Sequence, residues 1–114
     1  MTAHLLVVGD PEFDDPTTVE TVVEHAYLLL RPAAGQVLLV TLNQPGPERV
    51  AEWFWASHGM QQQPTRAHTN LYMAFGNALR NVVPDLVLIF GETKLCAEAV
   101  TRCKAAEIRH TQIV

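Results

Sequence analysis

The sequence predicts an α/β fold, one mostly parallel sheet of four to five strands with helices on both faces. Three observations point there. The apolar runs Leu5-Leu6-Val7-Val8, Val37-Leu38-Leu39-Val40 and Leu86-Val87-Leu88-Ile89-Phe90 are continuous, as in strands buried on both sides. Segments with helical spacing of apolar residues fall between them. The breaks carry Gly, Pro, Asp, Asn and Thr, residues that end strands and open helices.

His4–Gly9 is the first strand, ended by Gly9-Asp10-Pro11. Asp15 is placed to accept from the free amides of a first helical turn, and Pro16 suits the first helical position. Val19, Val22, Val23, Ala26, Tyr27 and Leu30 recur on one helical side, and Pro32 and Gly35 stop the helix near Arg31. Gln36–Leu42 is the second strand, followed by the turn Asn43-Gln44-Pro45-Gly46. Pro47 restarts a helix, with Glu48 in the first turn where the helix dipole favours a carboxylate, and Gly59 ends it.

Met60–His68 carries the weakest signal and reads equally as a loop or a short edge strand bordered by Pro64. A third helix carries Leu71, Phe75, Ala78, Leu79 and Val82, with Thr69 or Asn70 as its cap and Pro84 after its end. Asp85–Phe90 is the clearest strand, and Gly91-Glu92-Thr93 is its turn. Thr93 caps a last helix that turns Cys96, Ala99, Val100, Cys103 and Ala106 inward, and Arg109–Val114 forms a final strand. The order β-α-β-α-(β)-α-β-α-β implies right-handed crossovers, hence a Rossmann-like three-layer sandwich, a single domain over residues 1–114.

Sheets of this kind bind ligands outside the carboxyl ends of the strands, where the strand order reverses. That edge holds Gly9, Asp10 and Pro11, then Leu42 to Gly46, then Gly91 to Lys94.

Composition narrows the functional classes. The formal charge of −4 and the scatter of eight Lys and Arg argue against a nucleic-acid partner bound through bulk electrostatics. No segment approaches the roughly 20 apolar residues of a membrane span, and the start of the chain lacks the basic leader of a signal peptide, so the cytoplasm is the expected compartment. Cys96 and Cys103, on one helical face and roughly 10 Å apart, are expected as free thiols.

The order of motifs resembles the YspA-like branch of the SLOG superfamily, relatives of YpsA, DprA and the LOG phosphoribohydrolases. Gly9-Asp10 and the acidic stretch after it resemble the family's opening Gly-Asp/Ser-Arg segment. Gly46-Pro47-Glu48-Arg49-Val50-Ala51-Glu52 resembles the end of its Gly-Gly-Ala-Arg-Gly-Ala-Asp-Arg-Leu-Ala-Glu signature. Pro84-Asp85-Leu86-Val87-Leu88-Ile89-Phe90 resembles its Pro-Asp-Leu-Val-Leu-Ala-Phe strand, and Val100 to Ile108 its final helix. The resemblance implies a nucleotide or nucleotide-derived ligand over the strand ends.

The phosphate-binding positions of that family have changed here. Pro11 stands for its arginine, Leu42-Asn43 for its glycine pair, Phe75-Gly76 for its Arg-Asn pair, and Glu92-Thr93-Lys94-Leu95-Cys96 for its Gly-Gly-x-Gly-Thr loop. Glycines let a backbone approach a phosphate, and arginine is its bidentate partner, so the scaffold motifs persist while the phosphate motifs do not.

Several residues remain candidates. Gly9, Asp10, Asn43, Gly46, Gly91, Glu92, Thr93 and Lys94 form the candidate ligand edge, with Thr93 and Lys94 its best phosphate remnant. Asp10, Glu48 and Glu92 would serve as acid and base or hold a divalent cation if they converged; otherwise each stabilises its own turn or helix start. Cys96, in a first helical turn, is a nucleophile or redox switch if a histidine approaches it, and a small buried hydrophobe otherwise. The five histidines show no metal-ligand spacing, so no metal site is expected.

Trp53-Phe54-Trp55 spans about 200° of a helix, more than one packed face covers. Trp53, Trp55 and Tyr72, with Met73 expected on the same side of the sheet, are the candidate interface, covered by a loop or by a second copy. Two functions follow as expectations. One is a degenerate SLOG-like domain that binds a protein partner or small ligand, as a homodimer. The other is a nucleotide-metabolite-binding protein or nucleotide hydrolase with a remodelled pocket.

Overall fold

The computed structural model describes residues 1–65 and 70–114. Strands β1 (Thr2–Gly9), β2 (Gln36–Thr41), β3 (Leu86–Phe90) and β4 (His110–Ile113) form one parallel sheet in the order β2-β1-β3-β4. Leu5 pairs with Leu39 on one side and Leu86 on the other, and Leu88 pairs with Thr111. The helices are α1 (Pro16–Leu30), α2 (Pro47–Ser57), α3 (Leu71–Asn81) and α4 (Lys94–Ala105).

The continuous apolar runs are explained by two cores. Leu5, Val7, Leu39, Leu88 and Phe90 point to one face, where Val19, Val23, Ala51 and Trp55 of α1 and α2 cover them. Leu6, Val8, Val40, Val87 and Ile89 point to the other, under Phe75, Ala78, Cys96, Ala99 and Cys103 of α3 and α4. Alternate residues of β1, β2 and β3 therefore supply alternate cores, while the edge strand β4 is largely polar and exposed. The architecture is the expected three-layer, Rossmann-like sandwich. Among the described residues no helix is long and apolar enough to cross a membrane.

The helix starts follow local chemistry. Asp15 accepts from the Thr18 amide at 3.1 Å, Asn70 from the Tyr72 and Met73 amides, and Thr93 from the Cys96 amide at 3.2 Å. Thr69, the other cap expected for α3, lies outside the described residues. Of the weak stretch after α2, residues 60–65 are described, and among them a single parallel bridge joins Leu39 to Gln62 at the outer edge of β2. Ala106, expected to face inward, falls just past the end of α4 and is exposed.

Two interface expectations are corrected. Trp55 is fully buried, packed edge-on to Tyr27 with ring centroids 5.7 Å apart, and its Nε1 donates to the Gln61 carbonyl at 2.8 Å. Trp53, two residues away, points outward and is 68% exposed. Tyr72 and Met73 lie on α3, across the sheet from α2, because the right-handed connection to β3 must run over the opposite face.

Candidate functional site

The strand order reverses between β1 and β3, so the binding crevice of such a sheet belongs between Gly9-Asp10 and Phe90-Gly91. Here the segment after β1 packs across its edge, beside a depression of about 400 Å³ lined by Pro11, Phe13 and Gly46, among others. The Asp10 amide donates to the Phe90 carbonyl at 2.8 Å, and the Asp10 carboxylate accepts from the Glu12 amide at 2.9 Å. Phe13 lies over Phe90, with ring centroids 5.6 Å apart.

The two glycines of the neighbouring loops turn toward this segment. Gly46 has φ +86°, and a Cβ there would lie 2.7 Å from the Pro11 carbonyl oxygen. Gly91 has φ +112°, and a Cβ there would lie 2.7 Å from Asp10 Cβ. Both positions demand glycine, for conformation and for space. Gly9 is buried at the end of β1 against the Pro47 ring. Three of the candidate ligand residues thus hold the loops together.

The others are similarly engaged. Asn43 adopts φ 63°, a conformation asparagine tolerates, and its Nδ2 donates to Thr65 Oγ1 at 2.9 Å. Thr65 in turn donates to the Thr41 carbonyl at 2.9 Å. Thr93 caps α4 and donates to Cys96 Sγ at 3.1 Å. Glu92 and Lys94 are exposed.

The three carboxylates do not assemble. Glu48 turns away from Asp10 and Glu92 and folds back on its own loop. Its carboxylate accepts from the Leu42 amide at 2.5 Å, from the Gln44 amide at 3.4 Å and from Gln44 Nε2 at 2.7 Å. The residue is fully buried, and burial pushes its carboxyl up to about 7, against the pull of those three N–H donors. Among the described residues no group of three or more His, Cys, Asp or Glu side chains is gathered as a metal site needs.

The cysteine chemistry is closed as well. Cys96 and Cys103 are free and buried. Cys96 Sγ faces the Phe90 carbonyl and the Thr93 hydroxyl, with no histidine among these partners. Burial raises the Cys103 thiol to about 11. His4 pairs with Gln63 at 2.9 Å, and His68 lies outside the described residues.

A cleft that sequence reasoning missed opens beside the carboxyl end of β2. It has a volume of about 440 Å³ and is lined by Leu42, Gln63, Thr65, Ala74, Asn77 and Asn81, among others. Its polar groups are neutral amides and a hydroxyl. The only hint in the sequence was the spacing of Asn77 and Asn81 on one face of α3. The cleft does not include Asp10, Gly91, Glu92, Thr93 or Lys94. No family model, curated protein or solved structure matches the chain.

Proposed function

We propose that the chain is a SLOG-like domain whose nucleotide crevice is filled by its own first loop, and that it acts by association, as a homodimer through α2, rather than by catalysis. The observation that carries this reading is the engagement of both loop glycines: Gly46 and Gly91 have no room for a side chain because Pro11 and Asp10 pack against them. The exposed face of α2 supports the association. Arg49, Trp53 and Ala56 recur there at i, i+4 and i+7, and Trp and Arg are the residues that most often anchor interfaces. A large exposed indole on a rigid helix is costly to leave in water and stabilising to bury against a second copy.

A second reading keeps a small ligand. The 440 Å³ cleft is within the usual size range of ligand pockets, roughly 300–1,000 Å³, and its amides suit a neutral hydrogen-bonding group such as a nucleobase. This is the nucleotide-metabolite alternative, with the ligand displaced from the crevice to the side of β2.

Thermal shift against nucleotides, NAD derivatives and divalent metals, with sedimentation of the wild type and Trp53→Ala, separates these readings. The expected result is no response attributable to the crevice and a dimer that Trp53→Ala dissociates. A reproducible rise with one nucleotide class, lost in Thr93→Ala or Lys94→Ala, overturns the filled-crevice reading. A rise lost instead in Asn77→Ala or Asn81→Ala supports the second.

A further inference from the structure

Gly76 sits in the middle of α3, where glycine costs roughly 0.5–1 kcal/mol relative to alanine. A Cβ at this position would lie 2.8 Å from Arg102 Nη1 and 3.6 Å from Arg80 Nη1. Two guanidinium groups from two helices therefore converge on one point, and their nitrogens are no farther apart than the sum of those distances. Both arginines lie in the last turn of their helices, where a cation favours the dipole. That preference explains their presence near the helix ends. Glu98 and the Tyr72 carbonyl hold Arg102, and Asn77 holds Arg80, so that two like charges face each other over a missing side chain.

We propose that the cleft between α3 and α4 binds a phosphate monoester, held by the guanidinium groups of Arg80 and Arg102. The protein contacts fix both groups and leave donors free. Arg102 Nε donates to Glu98 Oε1 at 2.9 Å and Nη1 to the Tyr72 carbonyl at 3.1 Å. Arg80 Nη2 donates to Asn77 Oδ1 at 2.7 Å. A guanidinium carries five N–H donors, so several on each group have no acceptor among the described residues. Leu79, Ala105, Ala106 and Ile108 form apolar walls around the pair, and the Glu98 carboxylate, ion-paired with Arg102 Nε at 2.9 Å, leaves the Nη2 edge of that guanidinium open.

The chemistry of the pair selects the ligand. Each planar fork matches two oxygens of an oxyanion. A carboxylate has two oxygens and satisfies one fork. A phosphate monoester has three terminal oxygens and close to two negative charges, enough for both. The apolar walls suit the ester group, along a shallow groove open to solvent where Arg80 is exposed. The site lies toward the end of α4 remote from Thr93, roughly 15 Å away along the helix, and on the opposite face of the sheet from α2. It stands or falls independently of the crevice and of the dimer.

Gly76→Ala provides the decisive variant, because it favours the helix while placing a methyl group where the Arg102 guanidinium sits. Phenyl phosphate is titrated into the ¹⁵N-labelled wild type, Gly76→Ala and Arg80→Gln, with the arginine Nε–H resonances as readout and sodium chloride at matched ionic strength as control. The expected result is saturable binding to the wild type that weakens by about tenfold or more in each variant, the loss of one or two charge-assisted hydrogen bonds. Weaker binding of inorganic phosphate supports the role of the apolar walls. A shift reproduced by sodium chloride, a response that does not saturate, or equal binding in all three proteins overturns the proposal. Should Gly76→Ala fail to fold, Arg80→Gln alone decides it.

Discussion

Asp10 occupies the space that Gly91 leaves by having no side chain: a Cβ on Gly91 would fall 2.7 Å from Asp10 Cβ. The Asp10 amide meanwhile bonds the Phe90 carbonyl. The contact joins β1 to the turn after β3 across the point where the strand order reverses. Gly91→Ala forces that contact apart at a φ of +112° that alanine rarely adopts. The expected loss is about 2–4 kcal/mol, read by urea unfolding. Asp10→Gly in the same background is expected to recover part of it. Simple additivity of the two changes would show that the residues do not share the space.

Glu48 makes stability depend on pH in an unusual direction. Its carboxyl is raised in the fold to about 7 and has an ordinary value of 4.5. The folded state therefore holds a proton that the unfolded state has lost. Its contribution to stability is fully present below 4.5 and is lost as pH rises through about 7, by up to roughly 3 kcal/mol. Asp15, lowered by its hydrogen bonds to the Thr18 hydroxyl and amide, acts in the opposite sense and at lower pH.

Glu48→Gln keeps an oxygen for the Leu42 and Gln44 amides, and the Gln44 side chain can turn its own oxygen toward the new amide. This variant is expected to flatten the stability profile between 4.5 and 7. Glu48→Ala strands the buried amides and is expected to cost about 2–4 kcal/mol. Denaturant midpoints at a series of pH values check both. An unchanged slope in Glu48→Gln would assign the pH dependence elsewhere.

The two tryptophans are expected to behave as opposites. Trp55→Ala empties a core position and is expected to cost about 3–5 kcal/mol. Trp53→Ala is expected to change monomer stability by less than about 0.5 kcal/mol and to abolish the proposed dimer. In Trp55→Phe, where only Trp53 emits, dilution should shift the fluorescence to the red. Emission independent of concentration would leave α2 without a partner.

The thiols are expected to be silent in the native protein. Cys96 and Cys103 are both fully buried, and the Cys103 thiol, raised to about 11, is protonated at neutral pH. A thiol reagent at pH 8 should titrate neither until the chain is unfolded, and then both. Rapid native reaction of Cys96 would revive the redox switch.

The sequence alone determined the architecture. Continuous apolar runs allow burial on both faces only, and the residues between them, Asp15-Pro16, Gly46-Pro47, Asn70 and Thr93, specify helix starts through local hydrogen bonds and fixed dihedrals. Such signals act over a few residues, so they can be read along the chain. The edge that carries Gly9, Asp10, Gly46 and Gly91 was legible for the same reason.

What that edge does was decided by tertiary structure. Gly46 and Gly91 read as part of a ligand edge until Pro11 and Asp10 are seen packed against them, and these contacts join residues far apart in sequence. Trp53 and Trp55 differ by two positions and by everything else, because the angle at which α2 meets the sheet, not its composition, selects the side chain that enters the core. Gly76, Arg80 and Arg102 came together only when two helices packed side by side. Burial and convergence are properties of space between elements, and no local pattern encodes them.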